Sequence, residues 1–359
     1  MAPSVLHIQE LLDHCISLQD SKSDLVACAL VSRRWVHRAQ SLLFEEINPW
    51  DIRRSIDDHR RRWLQLLPIL NTCPHLVRYI RRLSVNQKGL STQIFSEICL
   101  VRFTHLEDVT VRTVDLPPPH AVGMQALLSL PTLLRVDIEC SSANTRFIQI
   151  WCRCSPSIRT IALGCFLYFD DHFDFILPDP PTPLKLESLS LTFADDGVTR
   201  WLQHDVCPFD LSRLRVLSFG YCTEIVRSPA FVAALRTIEA LEFKIPISQD
   251  SIDFSAFPKL ASVRVRIFAG HEPWSKTLES FATIAPSCSI SIFGFFEEGT
   301  CNQLDSVLSQ TLLPPSTVEI HADASNARAV AYFPELKSMN MLRLTAYDPD
   351  WPRLGAILV

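Results

Sequence analysis

The chain has 359 residues, 47% of them hydrophobic, and a net charge of −5 from 34 Lys and Arg against 39 Asp and Glu. That length can bury a sizeable core and has room for more than one domain, and the composition excludes large-scale disorder. The charge leaves no global basic footprint for nucleic acid or an anionic membrane. No charged-then-apolar leader opens the chain, and no apolar run reaches the length of a spanning helix. Of the 12 cysteines, Cys15, Cys28, Cys99, Cys140, Cys165 and Cys222 fall in apolar-periodic runs, as small buried hydrophobes do. Free thiols in a reducing compartment, cytosol or nucleus, are therefore expected.

Three short helical patterns fill residues 8–47. Ile8, Leu11, Leu12, Cys15 and Ile16 form one stripe at helical spacing. Ser21 and Ser23 offer N-caps to a second helix with Leu25, Cys28 and Ala29 on one face, and Ser32 offers a cap to a third with Trp35, Ala39, Leu42 and Leu43. About 40 residues of helix are too few for a self-sufficient core, so neighbouring chain or a partner should cover part of them. The order Glu10-Leu11-Leu12, Cys28-Ala29-Leu30-Val31, Trp35 and Leu43-Phe44 resembles an F-box, with Ile8 where that family has proline and Ser32 where many members have a second cysteine. The resemblance implies docking on the SCF adaptor, and through it on cullin and RING subunits. It implies that Ile8, Glu10, Leu11, Leu12, Val31, Trp35 and Phe44 face the adaptor.

Residues 48–74 read as a helical linker with Ile52, Ile56, Trp63, Leu67 and Leu70 on its apolar side. Arg53, Arg54, Arg60, Arg61 and Arg62, interleaved with Asp51, Asp57 and Asp58, read as a solvated face or a patch for an acidic partner. Cys73-Pro74 should end that helix. From residue 75 onward the unit apolar-x-x-apolar-x-x-apolar-x-apolar recurs, with its last residues roughly 20–29 apart. It begins with Val77, Ile80, Leu83 and Val85 and is clearest at Leu211, Leu214, Leu217 and Phe219. Later copies blur to Ile290 with Ile292, Val318 with Ile320, and Phe333, Leu336, Met339 and Met341. Each copy should end in a short strand. Helix-compatible spans lie between, as at residues 92–102, 144–154, 274–285 and 301–312.

The expected class is α/β. Three F-box-like helices over residues 1–47 precede an irregular leucine-rich-repeat solenoid over 75–359, with a curved parallel sheet inside and helices outside. The line Pro74-His75-Leu76-Val77-Arg78 resembles the entry to the repeats in fungal-type F-box proteins. Two stretches break the period: Leu116–His120, read as a rigid extended turn, and the aromatic, acidic insertion at residues 165–183.

Searching for chemistry finds no Gly-rich phosphate loop, no nucleophile elbow and no His-Glu-x-x-His. Cys152-x-Cys154 lacks the second pair of a zinc site, and Asp170, Asp171, His172 and Asp174 read as a solvated loop anchored by aromatics. No enzyme, metal or cofactor is expected. On each strand the residue between the last two apolar positions should project to the opposite, concave face. That marks Asp137, Ser190, Ser218, Glu242 and Arg264 as candidate target-binding residues. The resemblance implies a substrate-recruiting subunit of an SCF ubiquitin ligase whose repeats bind a target protein. The alternative is a repeat scaffold outside any ligase, in which the N-terminal helices only cap the repeats.

Overall fold

The structure, a computed structural model, describes residues 9–19, 21–50, 55–113, 117–143, 145–167, 183–192, 196–204, 207–220, 229–244, 252–267, 280–284, 288–294, 298–311, 317–322 and 333–346. The chain divides into two compact units, Met1–Ile158 and Arg159–Val359, each mixed α/β with parallel strands.

The first unit opens with helices α1 (Gln9–Ser17), α2 (Lys22–Val31) and α3 (Arg33–Glu45). Ser32 caps α3 by accepting from the Arg34 N–H, whereas Ser21 makes no side-chain cap and instead shares a 2.6 Å hydrogen bond with Ser23. Ile16, Leu25 and Ala39 form a small core, with Cys28, Ala29, Trp35, Leu42 and Leu43 packed against it. The stripe on α1 is narrower than its spacing suggested: Leu12 and Ile16 are buried, while Leu11 and Cys15 face solvent. Helix α3 runs straight into β1 (Glu46–Ile47), which pairs in parallel with β2 (Arg82–Asn86).

Helix α4 (Ile56–Thr72) follows, with Ser55 accepting from the Asp58 N–H at its start and His59, Trp63, Leu67 and Leu70 buried. His59 Nε2 donates to the Asn86 carbonyl at 2.8 Å, tying α4 to β2. The helix stops at Cys73, before Pro74 opens α5 (Pro74–Val77). Helices α6 (Thr92–Cys99) and α7 (Pro118–Leu128) then alternate with β3 (Asp108–Thr113) and β4 (Arg135–Ala143) and pack on one another. The proline run read as an extended turn is helical from Pro118 onward. The first turn of a helix has N–H groups without intrahelical partners, so prolines fit there without loss.

The second unit carries β5 (Thr160–Leu167), β6 (Leu184–Lys185), β7 (Ser188–Leu191), β8 (Phe209–Asp210), β9 (Val216–Phe219), β10 (Ala240–Lys244), β11 (Ser262–Ile267), β12 (Ser289–Gly294), β13 (Thr317–Ala322) and β14 (Leu342–Ala346). Strands β6 and β8 form a separate parallel pair; the other eight follow one another in sequence order. Short helices lie between them: Asp196–Leu202, Pro229–Val232, Glu298–Thr311 and Pro334–Ser338, with 3-10 turns at Ala234–Arg236, Phe254–Ala256 and Ser280–Thr283.

Register explains the repeated apolar unit. Leu189, Leu217, Leu241, Val263, Ile290, Val318 and Leu342 are partners across successive strands, as are Leu191, Phe219, Phe243, Val265, Ile292, Ile320 and Leu344. Leu83, Val109 and Val136 do the same in the first unit. The residue three positions earlier is buried in each clear copy, at Ile80, Leu106, Leu133, Ile158, Leu186, Leu214, Ile238 and Leu260. Thr132 and Thr237, each four residues before the first ladder residue of its strand (Val136 and Leu241), donate at 2.7 Å to the carbonyls of Leu106 and Leu214 in the preceding copy. At Gly220 a Cβ would strike the carbonyl of Thr192, just past the end of the neighbouring strand β7, so the close approach there requires glycine. The last copy is framed three residues later than its apolar residues suggested. Met339 and Asn340, the latter at φ 56°, form a turn, and Leu342 and Leu344 take the ladder positions instead of Met339 and Met341.

Aromatic rings fill the layer beneath the strands, with Phe219 stacked on Phe243 and Phe254 on Phe281. Leu217 is fully buried whereas Ser218 is only half-buried on the other face. Replacing Leu217 by Ala should therefore cost about 2–5 kcal/mol, and Ser218→Ala less than about 0.5 kcal/mol. Urea denaturation of the two variants checks this; equal midpoints would contradict the register.

Candidate functional site

Two surfaces carry the residues marked from sequence. In the N-terminal helices Ile8 lies outside the described residues. Glu10 is exposed in the first turn of α1, and Leu11 and Val31 are 43% and 66% exposed. Leu12 is 5% exposed and so serves the interior of the helices, and Trp35 is half-buried against their core. Phe44 is half-buried and lines an open cleft of about 320 Å³ with Leu43, Ile47, Leu66 and Ile69, where Arg62 donates to the Pro49 carbonyl at 3.1 Å. Three aliphatic side chains not marked from sequence stand in water nearby: Leu18, in the turn after α1, at 65%, and Val26 and Leu30 on α2 at 49% and 82%. Leu30 was legible, because it sits inside the Cys28-Ala29-Leu30-Val31 run on the side away from Cys28 and Ala29.

On the strands, Asp137 continues a row with Ser84 and Thr110 in the first unit. In the second unit Ser190, Ser218, Glu242 and Arg264 are register partners on four neighbouring strands, opposite the buried ladder. That row runs on through Ser291, Glu319 and Arg343. Two residues further along the same face lie Arg266, Phe293 and His321, also register partners. None of these last six was marked from sequence. The signal was present: the period-2 alternation continues for one more step in Arg264-Val265-Arg266, Ser291-Ile292-Phe293 and Glu319-Ile320-His321.

Electrostatics on this face are those of a partly dehydrated surface. Glu242, 4% exposed, accepts from Arg266 Nε at 2.8 Å. His321 is 1% exposed, with its ring stacked on Phe293 at 4.1 Å and Nε2 3.5 Å from Glu319. Burial pulls the His321 pKa below its ordinary value, against the pull of Glu319 and with that of Arg264. Loss of water likewise lowers the pKa of Arg264, although Glu242 and Glu319 oppose it. A different charge pattern lines the positions just before the strands. Arg81–Glu107, Arg159–Glu187 and Arg215–Glu239 pair at 2.7, 3.1 and 2.6 Å, all well exposed, and act as a polar border.

Among the described residues no group of three His, Cys, Asp or Glu could hold a metal ion, and no helix is long and apolar enough to cross a membrane. The run Asp170–Asp174, with residues 168–182 of the aromatic insertion, lies outside the described residues; residues 165–167 of the insertion complete β5. Cys154 is buried and donates to the Ile150 carbonyl, and burial pushes the thiols of Cys99 and Cys288 up to about 12, so both are protonated at neutral pH. Compared with known proteins, the chain matches no family model and no curated sequence. The surfaces themselves therefore carry the functional reading: an array of exposed aliphatics at short helices, and a sheet face of charged residues and serines.

Because the folded state resists protonating His321, the unfolded chain takes up a proton first as pH falls through about 6.5, and stability is lost in that window. His321→Phe keeps a ring against Phe293 but cannot titrate. Urea midpoints at pH 7.5 and 5.5 should differ less in this variant than in the parent; an unchanged difference would remove His321 as the cause.

Proposed function

We propose that the chain is a substrate-recruiting subunit of an SCF ubiquitin ligase. The N-terminal helices would dock on the adaptor, and the strand-bearing remainder, read as an irregular leucine-rich-repeat solenoid, would hold a target protein. The observation that carries this reading is the exposure of Leu11, Val26, Leu30 and Val31 on two short helices, and of Leu18 in the turn between them, where the helices already have their own small core. Aliphatic side chains concentrated in this way mark an interaction surface. They fall in the segment whose sequence resembles an F-box, where the resemblance places the adaptor. Ubiquitin transfer by proximity requires two binding sites held at a fixed spacing rather than catalytic side chains on this chain.

A second reading, in which the helices only cap the repeats, draws on β1. Glu46 and Ile47 extend the sheet at β2, the Arg81 N–H donates to the Glu45 carbonyl at 2.9 Å, and Arg82 pairs with Glu45 and Glu46. A cap, however, has no use for Leu30 and Val31 in water.

The two readings separate in a pull-down with purified SCF adaptor. Leu11→Asp combined with Val31→Asp changes side chains that already face solvent, so the thermal melt should stay where it is. Adaptor affinity should fall at least about tenfold, since an unpartnered carboxylate is unfavourable in an apolar interface. Unchanged binding, or no binding by the parent chain, would favour the cap.

A further inference from the structure

Across β10 to β14 one row on the face opposite the core reads Glu242, Arg264, Ser291, Glu319 and Arg343. Opposite charges that neighbour one another in such a row ordinarily pair. Here the carboxylates turn along their own face instead, Glu242 to Arg266 and Glu319 toward His321. Arg264, between Glu242 and Ser291, has no hydrogen bond and no ion pair among the described residues, and neither does the Ser291 hydroxyl. Both side chains are half-buried. A guanidinium carries five donors in a planar fork, and holding it partly out of water with none of them bonded is unfavourable. An anion with two oxygens satisfies the fork in a single contact.

The charge of that anion follows from its surroundings. Two carboxylates, Glu242 and Glu319, and one cation, Arg266, act electrostatically on Arg264, so the surroundings are net negative and disfavour a group of two negative charges more than a single one. We infer that this face binds an acidic segment of a partner protein, with one Asp or Glu carboxylate seated on Arg264 beside Ser291. The inference rests on the target-recruiting reading for its partner, while the site itself stands on the geometry of the unit Arg159–Val359.

Selection from a displayed library of random peptides on the full chain tests it. Peptides retained by the parent should be enriched in Asp or Glu at one position, and Arg264→Gln should abolish that enrichment. A selected peptide should bind Arg264→Gln at least about tenfold more weakly by fluorescence anisotropy. Changing its acidic residue to Gln or Asn should cause the same loss, with no further loss when both changes are combined. Arg264→Lys, which keeps the charge without the fork, should fall between. Equal selection by parent and Arg264→Gln, selection without acidic enrichment, or retention of no peptide would overturn the proposal. So would tighter binding of a peptide with phosphoserine in place of the acidic residue. Arg264→Gln should bind the adaptor as the parent does; a parent that selects acidic peptides but does not bind the adaptor would count against the recruiter, and a parent that binds the adaptor but selects no acidic peptide would count against this site.

Discussion

The parallel register of the apolar ladder is the constraint on which the rest depends. Leu189, Leu217, Leu241, Val263, Ile290 and Val318 stand side by side because each strand pairs with the next without a slip. A shift of one residue would turn every one of them to the other face and put Ser218, Glu242 and Arg264 into the core. The opposite row is aligned by the same constraint at no further cost. The charged face is thus a consequence of the core's register, and its chemistry is set by whichever residues fill the alternate positions.

Water divides the charges of this protein into two kinds. Before the strands, Arg–Glu pairs such as Arg215–Glu239 stay solvated, and their residues sit together because main-chain bonds, as from the Glu239 N–H to the Arg215 carbonyl, place them so. On the sheet face, Glu242, Arg264 and His321 are partly or wholly out of water, burial lowers the pKa of Arg264 and of His321, and each unpaired donor matters. The first kind keeps the border polar. The second kind is chemically selective, because a dehydrated guanidinium discriminates between anions by geometry and charge.

The N-terminal helices meet a different constraint. Their shared core is small, and the close pairing of β1 with β2 attaches them to the sheet without covering α1 and α2. The apolar surface left over on those helices, above all Leu30 and Val31, is where a partner would gain most by excluding water. Attachment at one end and exposure along α1 and α2 are compatible with a docking module.

Local periodicity determined much of this from the sequence alone. The buried positions from Ile80 to Leu260, the end of α4 before Pro74, the cap at Ser32, and the outward placement of Ser218, Glu242 and Arg264 all follow from spacings of two, three or four residues, which a reader can see. Where the last strand begins was decided by the turn at Met339–Asn340, a local feature that a period does not announce. Tertiary structure alone decided that Leu12 is interior while its neighbour Leu11 is exposed, that Glu242 joins Arg266 rather than Arg264, and that His321 lies flat on Phe293. These depend on residues some twenty to thirty positions apart being brought within a few ångströms, where competition among several neighbours, and not the identity of any one residue, selects the partner.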